Sequence, residues 1–498
     1  MTKNSNSNDK NKDIEPTEEE IGVFWAEDEV VRQNKYGPLI NQAIIDEGFR
    51  DMKQPINVMG TIFLKKYTVT KDISKCNYIY NGRYWQDVPF DYLQSLAMNC
   101  DTETHTTSTR RKAIVDYALD KAYQLTIPWN KIGIEEIAFV DGVYNILTHK
   151  KRDHQWEDYL NVITPHKYNQ RAKCELWLKS IDYWFETNDK KLAFQEFFGY
   201  LLCSHVNYKK ALLFLGESNT GKSIPCEIAK YMVGANATCC IRPEDMDDSK
   251  KVAPIKSKKL NLVTELSSNA KLSDGGFKQL ISGEGIQIDT KFVAVETIVP
   301  VAKHIFATNV LPEIRDMSDG VYNRLLIIKF NRIVELANRD PNLIDKLKLE
   351  IEGIITWAVE GLKRLVKNNG QFTEIEESKL LLCEYKISQN PILNFIETSG
   401  EIEKVKDGEK GEVEAEVFRR KFENFKGGKE FAKVTVGKML KKLGYESISR
   451  NGKRFYPGIR LKEKSQQIEN TESGIQENKE LLSLVEENDD PRNEIPNW

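Results

Sequence analysis

No apolar run in the 498-residue chain approaches the length a bilayer span needs, and the first residues are polar where a secretory leader requires an apolar core. The expectation is a cytoplasmic protein with no membrane partner. The eight cysteines (Cys76, Cys100, Cys174, Cys203, Cys226, Cys239, Cys240 and Cys383) include no C-x-x-C pair, and the six histidines show no ligand spacing. Neither a structural zinc nor a disulfide framework is expected. Internal repeats are lacking too. What remains is a globular composition, 30% charged and 40% hydrophobic, with length for roughly three domains.

The net charge of −3 is unevenly placed. Residues 465–498 carry −7 and residues 1–20 carry −3, which leaves +7 on 21–464. Acidic ends around a basic body suit a polyanion partner, although charge runs also serve simply as solvated surface. Residues 1–20 read as a disordered N-terminus and 465–498 as an acidic disordered tail. Residues 21–205 read as a helical or α+β N-terminal region, a collar or oligomerisation element. Within it are early helices from Glu18 to Phe49, an aromatic hairpin at Tyr78–Trp85, a helix over 109–125, a second hairpin at Ala138–Leu147, and aromatic-rich helices over 170–206.

The informative stretch begins at Leu212. Leu212–Leu215 is an apolar run of strand length, and Gly216, Glu217, Ser218, Asn219, Thr220, Gly221, Lys222 and Ser223 follow as G-x-x-x-x-G-K-S ahead of helix-compatible residues. Strand before and helix after is the context in which this motif cradles a triphosphate. Backbone N–H groups and a helix N-terminus meet the phosphate oxygens, Lys222 reaches the β- and γ-phosphates, and the Ser223 hydroxyl holds Mg²⁺. ATP and Mg²⁺ are the expected cofactors.

Hydrolysis needs an acid beside the metal and water. Leu260–Val263 is strand-like and runs into Thr264 and Glu265, so Glu265 is the candidate catalytic and metal-side acid. His304–Ala307 leads to Asn309, an amide that can read the γ-phosphate or the attacking water. Leu325–Phe330 starts immediately after Arg324, an arginine able to stabilise transition-state charge on a neighbouring subunit's nucleotide. Strands alternating with helices from about 210 to 332 predict an α/β fold with a mostly parallel sheet, within an ATPase domain over 206–370. Between these strands, a helix ending near Gly283 precedes a projecting strand pair with Lys291 and Phe292, candidate contacts for nucleic acid. Lys303 is a rival for the same role, and an ordinary hairpin with a solvated lysine is the plain alternative.

Residues 341–368 are strongly helical, and 399–412 read as a linker or exposed loop. Residues 412–464 hold fifteen bases against seven acids. Helical patterns at 412–425 and 433–443 precede two strands meeting at Asn451-Gly452, so 371–464 reads as a winged-helix DNA-binding domain whose wing presents Arg450, Lys453 and Arg454. A helix-and-hairpin docking domain would show the same pattern.

Taken together, Gly216–Ser223, Glu265, the segment from Lys278 through Gly283-Glu284 to Lys291, Ala307-Thr308-Asn309 and Asn323-Arg324 resemble a superfamily 3 helicase of the AAA+ class. The likeness is to the helicase part of poxvirus-type and satellite-phage primase-helicases. Asp141–Asn145 and Glu196–Leu202 are similar to the segment preceding the motor in phage members. The resemblance implies a homo-hexameric ATP hydrolase and DNA helicase moving 3′ to 5′ on single-stranded DNA. It also implies Lys222 and Ser223 on nucleotide and metal, Glu265 as catalytic acid, Asn309 as sensor, Arg324 as trans finger and Lys291 as channel contact. A replication initiator of a phage or mobile element, acting on origin DNA in a bacterial host with a separate primase or host polymerase, is the further expectation. A DNA-binding ATP switch without processive unwinding is the alternative. Two positions depart from the family pattern: Glu284 stands for a more usual Asp, and Thr264 removes an acid seen in some members.

Overall fold

The computed structural model describes residues 55–100, 107–267, 270–272, 275–290, 295–314, 319–336, 339–405 and 409–462. The expectations for the N-terminal residues through Phe49, for Lys291 and Phe292, and for the acidic tail lie outside the described residues. The chain clusters into two compact units, residues 1–165 with 290–296, and residues 166–289 with 297–498.

In the first unit, helix α1 (Ile56–Lys66) leads to a three-stranded antiparallel sheet of β1 (Val69–Lys71), β2 (Asn77–Tyr80) and β3 (Trp85–Asp87). Helices α2 (Phe90–Ala97) and α3 (Ser108–Lys121) follow. Thr107 starts α3 by accepting the Arg110 N–H, as an N-cap does. Phe63, Leu93, Ile114, Val115, Ala118 and Leu119 form the core among these elements. The expected aromatic hairpin is β2–β3, closed over Asn81–Tyr84, with the Asn81 carbonyl oxygen of the side chain accepting the Arg83 and Tyr84 N–H groups. The second hairpin is β4 (Glu136–Phe139) with β5 (Gly142–Asn145), extended by β6 (Lys151–Arg152).

The second unit opens with α4 (Glu175–Trp184) and α5 (Asn188–Leu202). Then come β7 (Ala211–Gly216), α6 (Ser223–Val233), β8 (Thr238–Cys239), β9 (Leu260–Val263), β10 (Lys271–Leu272), α7 (Gly275–Ser282), β11 (Ile286–Ile288), β12 (Glu296–Ile298, its first residue clustering with the first unit), β13 (Lys303–Thr308), β14 (Glu313–Ile314), α8 (Asp319–Tyr322) and β15 (Leu325–Phe330). Five of these strands form one wholly parallel sheet in the order β15-β7-β13-β9-β8. All six residues of β7 and of β13 are buried, as strands covered on both faces must be. Alternate side chains of β7 serve two cores. Leu213 and Leu215 meet Phe277, Leu280 and Phe306 on one face, while Phe214 packs against Phe194 and Phe330 on the other. The four core strands read from the sequence are all present. β8 was not foreseen, because two residues carry no periodicity.

The helical stretch after β15 is two helices, α9 (Leu343–Leu349) and α10 (Ile351–Lys367). The break falls at Glu350, whose carboxylate accepts the Leu176 and Trp177 N–H groups and so caps α4. Helix α10 crosses α5 at very short range. A side chain at Gly199 would meet the Ala358 carbonyl at 2.4 Å, and one at Gly361 would meet the Gln195 carbonyl at 2.3 Å. Beside this crossing the buried Glu196 carboxylate takes Arg364 Nε at 2.6 Å and both the N–H and hydroxyl of Thr373. The aromatic residues Trp177, Phe194 and Phe198 of α4 and α5 pack on one another and on Trp357 of α10.

The segment from α11 (Glu376–Gln389) onward contains α12 (Pro391–Thr398), β16 (Ile402–Lys404), β17 (Glu412–Glu414), α13 (Ala415–Phe425), α14 (Lys433–Lys442), β18 (Ile448–Arg450), β19 (Lys453–Pro457) and β20 (Ile459–Leu461). Strands β17-β19-β18 form one antiparallel sheet and β16-β20 another. Two sequence expectations are corrected here. Part of the supposed loop 399–412 is β16, paired with β20, and the supposed helix from 412 begins as β17. The tip between β18 and β19 is Asn451-Gly452 with φ of +48° and +74°, the two positive angles of a tight hairpin turn.

A third correction concerns Lys303. It is 1% exposed, with its ammonium donating to the carbonyls of Cys203 and Val301, and it lies over the Tyr200 ring. Lys259, equally buried, donates to the Leu202 carbonyl at 2.9 Å. The two ammonium groups thus cap the C-terminal end of α5, where helix carbonyls are unpaired and the dipole is negative. They are buried structural lysines and are not available to nucleic acid. Burial pulls Lys303 down to about 7 and Lys259 to about 8, and the buried Cys203 thiol beside them is pushed up to about 11. Between about pH 7 and the ordinary lysine range the unfolded chain therefore binds more protons than the folded one, so this pair makes stability rise with pH there. The native protein's melting temperature should rise from pH 7 to pH 9, and Lys303→Met should flatten that rise. An unchanged slope in a pH series of thermal melts would contradict the assignment.

Candidate nucleotide site and basic surfaces

The loop 216–223 leaves β7 and enters α6 at Ser223. Gly221 has φ +90°, and a side chain there would stand 2.8 Å from Trp184 Nε1, so both the backbone angle and the packing require glycine. Lys222 Nζ donates to the carbonyls of Gly216 and Glu217 at 2.6 Å each, and to Asn309 Oδ1 at 3.1 Å. Asn309 Nδ2 in turn lies 3.5 Å from Ser218 Oγ. Parallel pairing of β13 with β7 brings this about, since Thr308 stands beside Leu215 and Asn309 comes directly after it. Partial burial lowers the Lys222 pKa, opposed by the nearby Cys226 and Glu265.

A cleft of ≈ 440 Å³ lies over the loop and is lined by Ser218–Ile224, Thr264, Glu265, Thr308 and Asn309. Its other wall is Trp184, Val334, Arg339, Asp340 and Leu343. A second cleft of ≈ 630 Å³, lined by Cys240, Arg242 and Ser267, shares Thr264, Glu265, Thr308 and Asn309 with the first. Four sequence candidates, Lys222, Ser223, Glu265 and Asn309, thus converge on one space from the ends of three adjacent strands. Glu265 is exposed at the end of β9. The Ser223 hydroxyl and the Glu265 carboxylate are oxygen donors of the kind a hard divalent cation takes, so Mg²⁺ fits this donor set. Trp184, Val334, Arg339 and Leu343 were missed by sequence reasoning. They flank the motif from elements far away in the chain, and no local pattern marks them.

Arg324 is elsewhere. Leu325 stands beside Ala211 and Phe330 beside Gly216, so Arg324 sits at the opposite end of β7, roughly 20 Å from the loop along the sheet. It cannot reach the cleft of its own chain. Its Nε and Nη2 donate to Ser282 Oγ at 3.0 and 2.9 Å, and Nη1 donates to the Gly320 carbonyl at 2.6 Å.

The hairpin β18–β19 carries Arg450, Lys453 and Arg454. Arg450 pairs with Glu412 and lies over the Phe455 ring, and Lys453 pairs with Glu414 at 3.0 Å. β17 thus partly neutralises the hairpin, while Arg454 is exposed. Helix α14 adds Lys433, Lys438 and Lys441 on its exposed face, which the sequence reading did not single out.

Among the described residues, no helix is long and apolar enough to cross a membrane. Residues 60–186 match the family described as D5 N terminal like. Residues 214–324 match a family of unknown function, DUF5906. That second stretch begins in β7 and ends at Arg324, so it encloses the cleft residues of the sheet and the arginine at its far end. The chain is also similar to solved structures. One is the A form apo structure of the NrS-1 C-terminal region (13% identity, 82% of this chain and 100% of that chain, TM-score 0.47). Another is the apo structure of the NrS-1 C-terminal region 305–718 (14% identity, 82% and 99%, TM-score 0.47).

Gly221→Ala should leave far-UV circular dichroism intact and weaken binding of a fluorescent ATP analogue by at least about tenfold. Native affinity in that variant would show that the loop is not where nucleotide binds.

Proposed function

We propose that the chain is an ATP-dependent DNA motor of the superfamily 3, AAA+ type, working as a ring. The observation that carries this reading is the opposite placement of two halves of one site on β7. Lys222, Ser223, Glu265 and Asn309 meet at one end, and Arg324 lies at the other. A single chain cannot bring them together, whereas copies arranged head to tail can. The strand order, with the loop strand between the sensor strand and the strand after Arg324, supports the AAA+ assignment.

In this reading the loop N–H groups and Lys222 bind the triphosphate. Glu265 orients the attacking water and accepts its proton, and Asn309 holds that water or the γ-phosphate in register. Ser223, with Glu265, would hold Mg²⁺, which supplies charge neutralisation on the phosphates when bound. Arg324 of the adjoining copy stabilises the charge that develops in the transition state. Lys291 and Phe292 are proposed to contact the single strand in the ring channel. Lys222→Ala should abolish ATP hydrolysis, and Arg324→Ala should lower kcat by about a thousandfold or more with little change in nucleotide affinity. Mixing the two inactive proteins should restore measurable hydrolysis, because some seams then join a native loop to a native arginine. Absence of any recovery in the mixture would contradict the shared site.

The C-terminal segment has the element order α12, β16, β17, α13, α14, β18, β19, β20, with one sheet of order β17-β19-β18 and a second of β16 and β20. That order supports a winged helix with α14 as its recognition helix and β18–β19 as its wing. A basic winged helix attached to a motor supports a role as replication initiator for a phage or mobile element, with origin DNA, a separate primase or a host polymerase as partners. A footprint on the element's own origin, lost when residues 412–464 are removed, is expected. Binding without sequence preference would defeat the initiator role, and failure to unwind a forked duplex with ATP would leave a DNA-binding ATP switch as the better reading.

A further inference from the structure

Arg324 is held by a residue that belongs to a different element from its own. Ser282 is the last residue of α7, and its hydroxyl accepts from two guanidinium nitrogens at once. Hydrogen bonds from charged donors are the stronger kind, so this contact gives Arg324 a defined position pointing into its own chain. The Gly320 carbonyl fixes the third donor.

The turn after Ser282 ties it to the next strand. Helix α7 closes with a tight turn in which Gly283 donates to the Leu280 carbonyl and Glu284 donates to the Gln279 carbonyl. This is the paired closure of a Schellman turn, with Gly283 at φ +66°. A side chain at Gly283 would meet Val206 Cγ2 at 2.1 Å, so the turn is packed from outside as well. Strand β11 begins at Ile286, just beyond the turn, and forms a two-stranded sheet with β12. The connection from Ser282 to β11 is therefore short and closed by backbone hydrogen bonds.

We propose that Ser282 is a positioning residue that couples the β11–β12 strand pair to the arginine at the subunit seam. With Ser282 in place, Arg324 is retained within its own chain and hydrolysis next door is slow. When single-stranded DNA displaces the strand pair, Ser282 withdraws and Arg324 turns to the neighbouring nucleotide. DNA stimulation of ATP hydrolysis thus passes through one hydroxyl. The inference rests on the motor reading, in which Arg324 acts in trans.

The test compares ATP hydrolysis by the full chain with and without oligo-dT. In Ser282→Ala the DNA-free rate should rise about tenfold, the population change expected on losing a hydrogen bond to a charged group. The stimulation by DNA should fall correspondingly toward one. Ser282→Thr, which keeps the hydroxyl, should restore the native ratio, which a purely structural defect would not do. A native stimulation ratio in Ser282→Ala, or a fall in both rates together, would overturn the proposal. If Ser282→Ala does not fold, hydrogen exchange on the native protein decides. Amides of Gly283–Ile288 should exchange faster when oligo-dT is added with an ATP analogue, and unchanged exchange would overturn it. A native protein with no Lys222-dependent hydrolysis would instead sink the motor reading itself.

Discussion

Strand β7 is hydrogen-bonded along both edges, and the character of the site depends on which strands hold it. On one edge β13 runs parallel and delivers Asn309 beside the phosphate-type loop. On the other edge β15 runs parallel and, because it begins at Leu325, leaves Arg324 at the far end. Parallel register is thus the constraint from which everything else derives. Were β15 antiparallel, Arg324 would lie near the loop of its own chain, and the proposed trans role would lose its geometric basis.

The same sheet explains the distribution of charge. Helices and their aromatic residues bury the strands so completely that the strand starts lie deep in the protein. Lys259 and Lys303 are placed at those starts, and they are tolerated because the open carbonyls at the end of α5 accept them. At the strand ends the protein is open, and there the cations and acids face the cleft. One sheet therefore carries buried lysines whose amines hold a helix end and accessible ones that suit phosphate. The difference lies in which end of the strand each occupies.

Much of the α/β core was legible in the sequence, because Leu212–Leu215, Leu260–Val263, His304–Ala307 and Leu325–Phe330 are dense apolar runs bounded by polar turns. The loop was legible for a different reason, since its glycines and Lys222-Ser223 have few other uses in that order. The errors share a cause. Lys303 looked like a surface cation because its carbonyl partners are distant in the chain. Residues 402–404 looked like a linker because their partner strand, Ile459–Leu461, lies far along the sequence, and local composition rich in Gly, Glu and Lys masked the pairing. Trp184 and Leu343 line the cleft from outside the motif, where only tertiary packing could reveal them. The contact between Arg324 and Ser282 likewise joins elements that no periodicity links.

The most direct test of the shared seam is electron microscopy of the protein bound to a non-hydrolysable ATP analogue and single-stranded DNA. The expected result is a closed ring in which the Arg324 guanidinium of each copy has left Ser282 and reaches the γ-phosphate held by its neighbour's Lys222. Single copies carrying both ligands, or a ring whose seams leave Arg324 remote from every nucleotide, would contradict it.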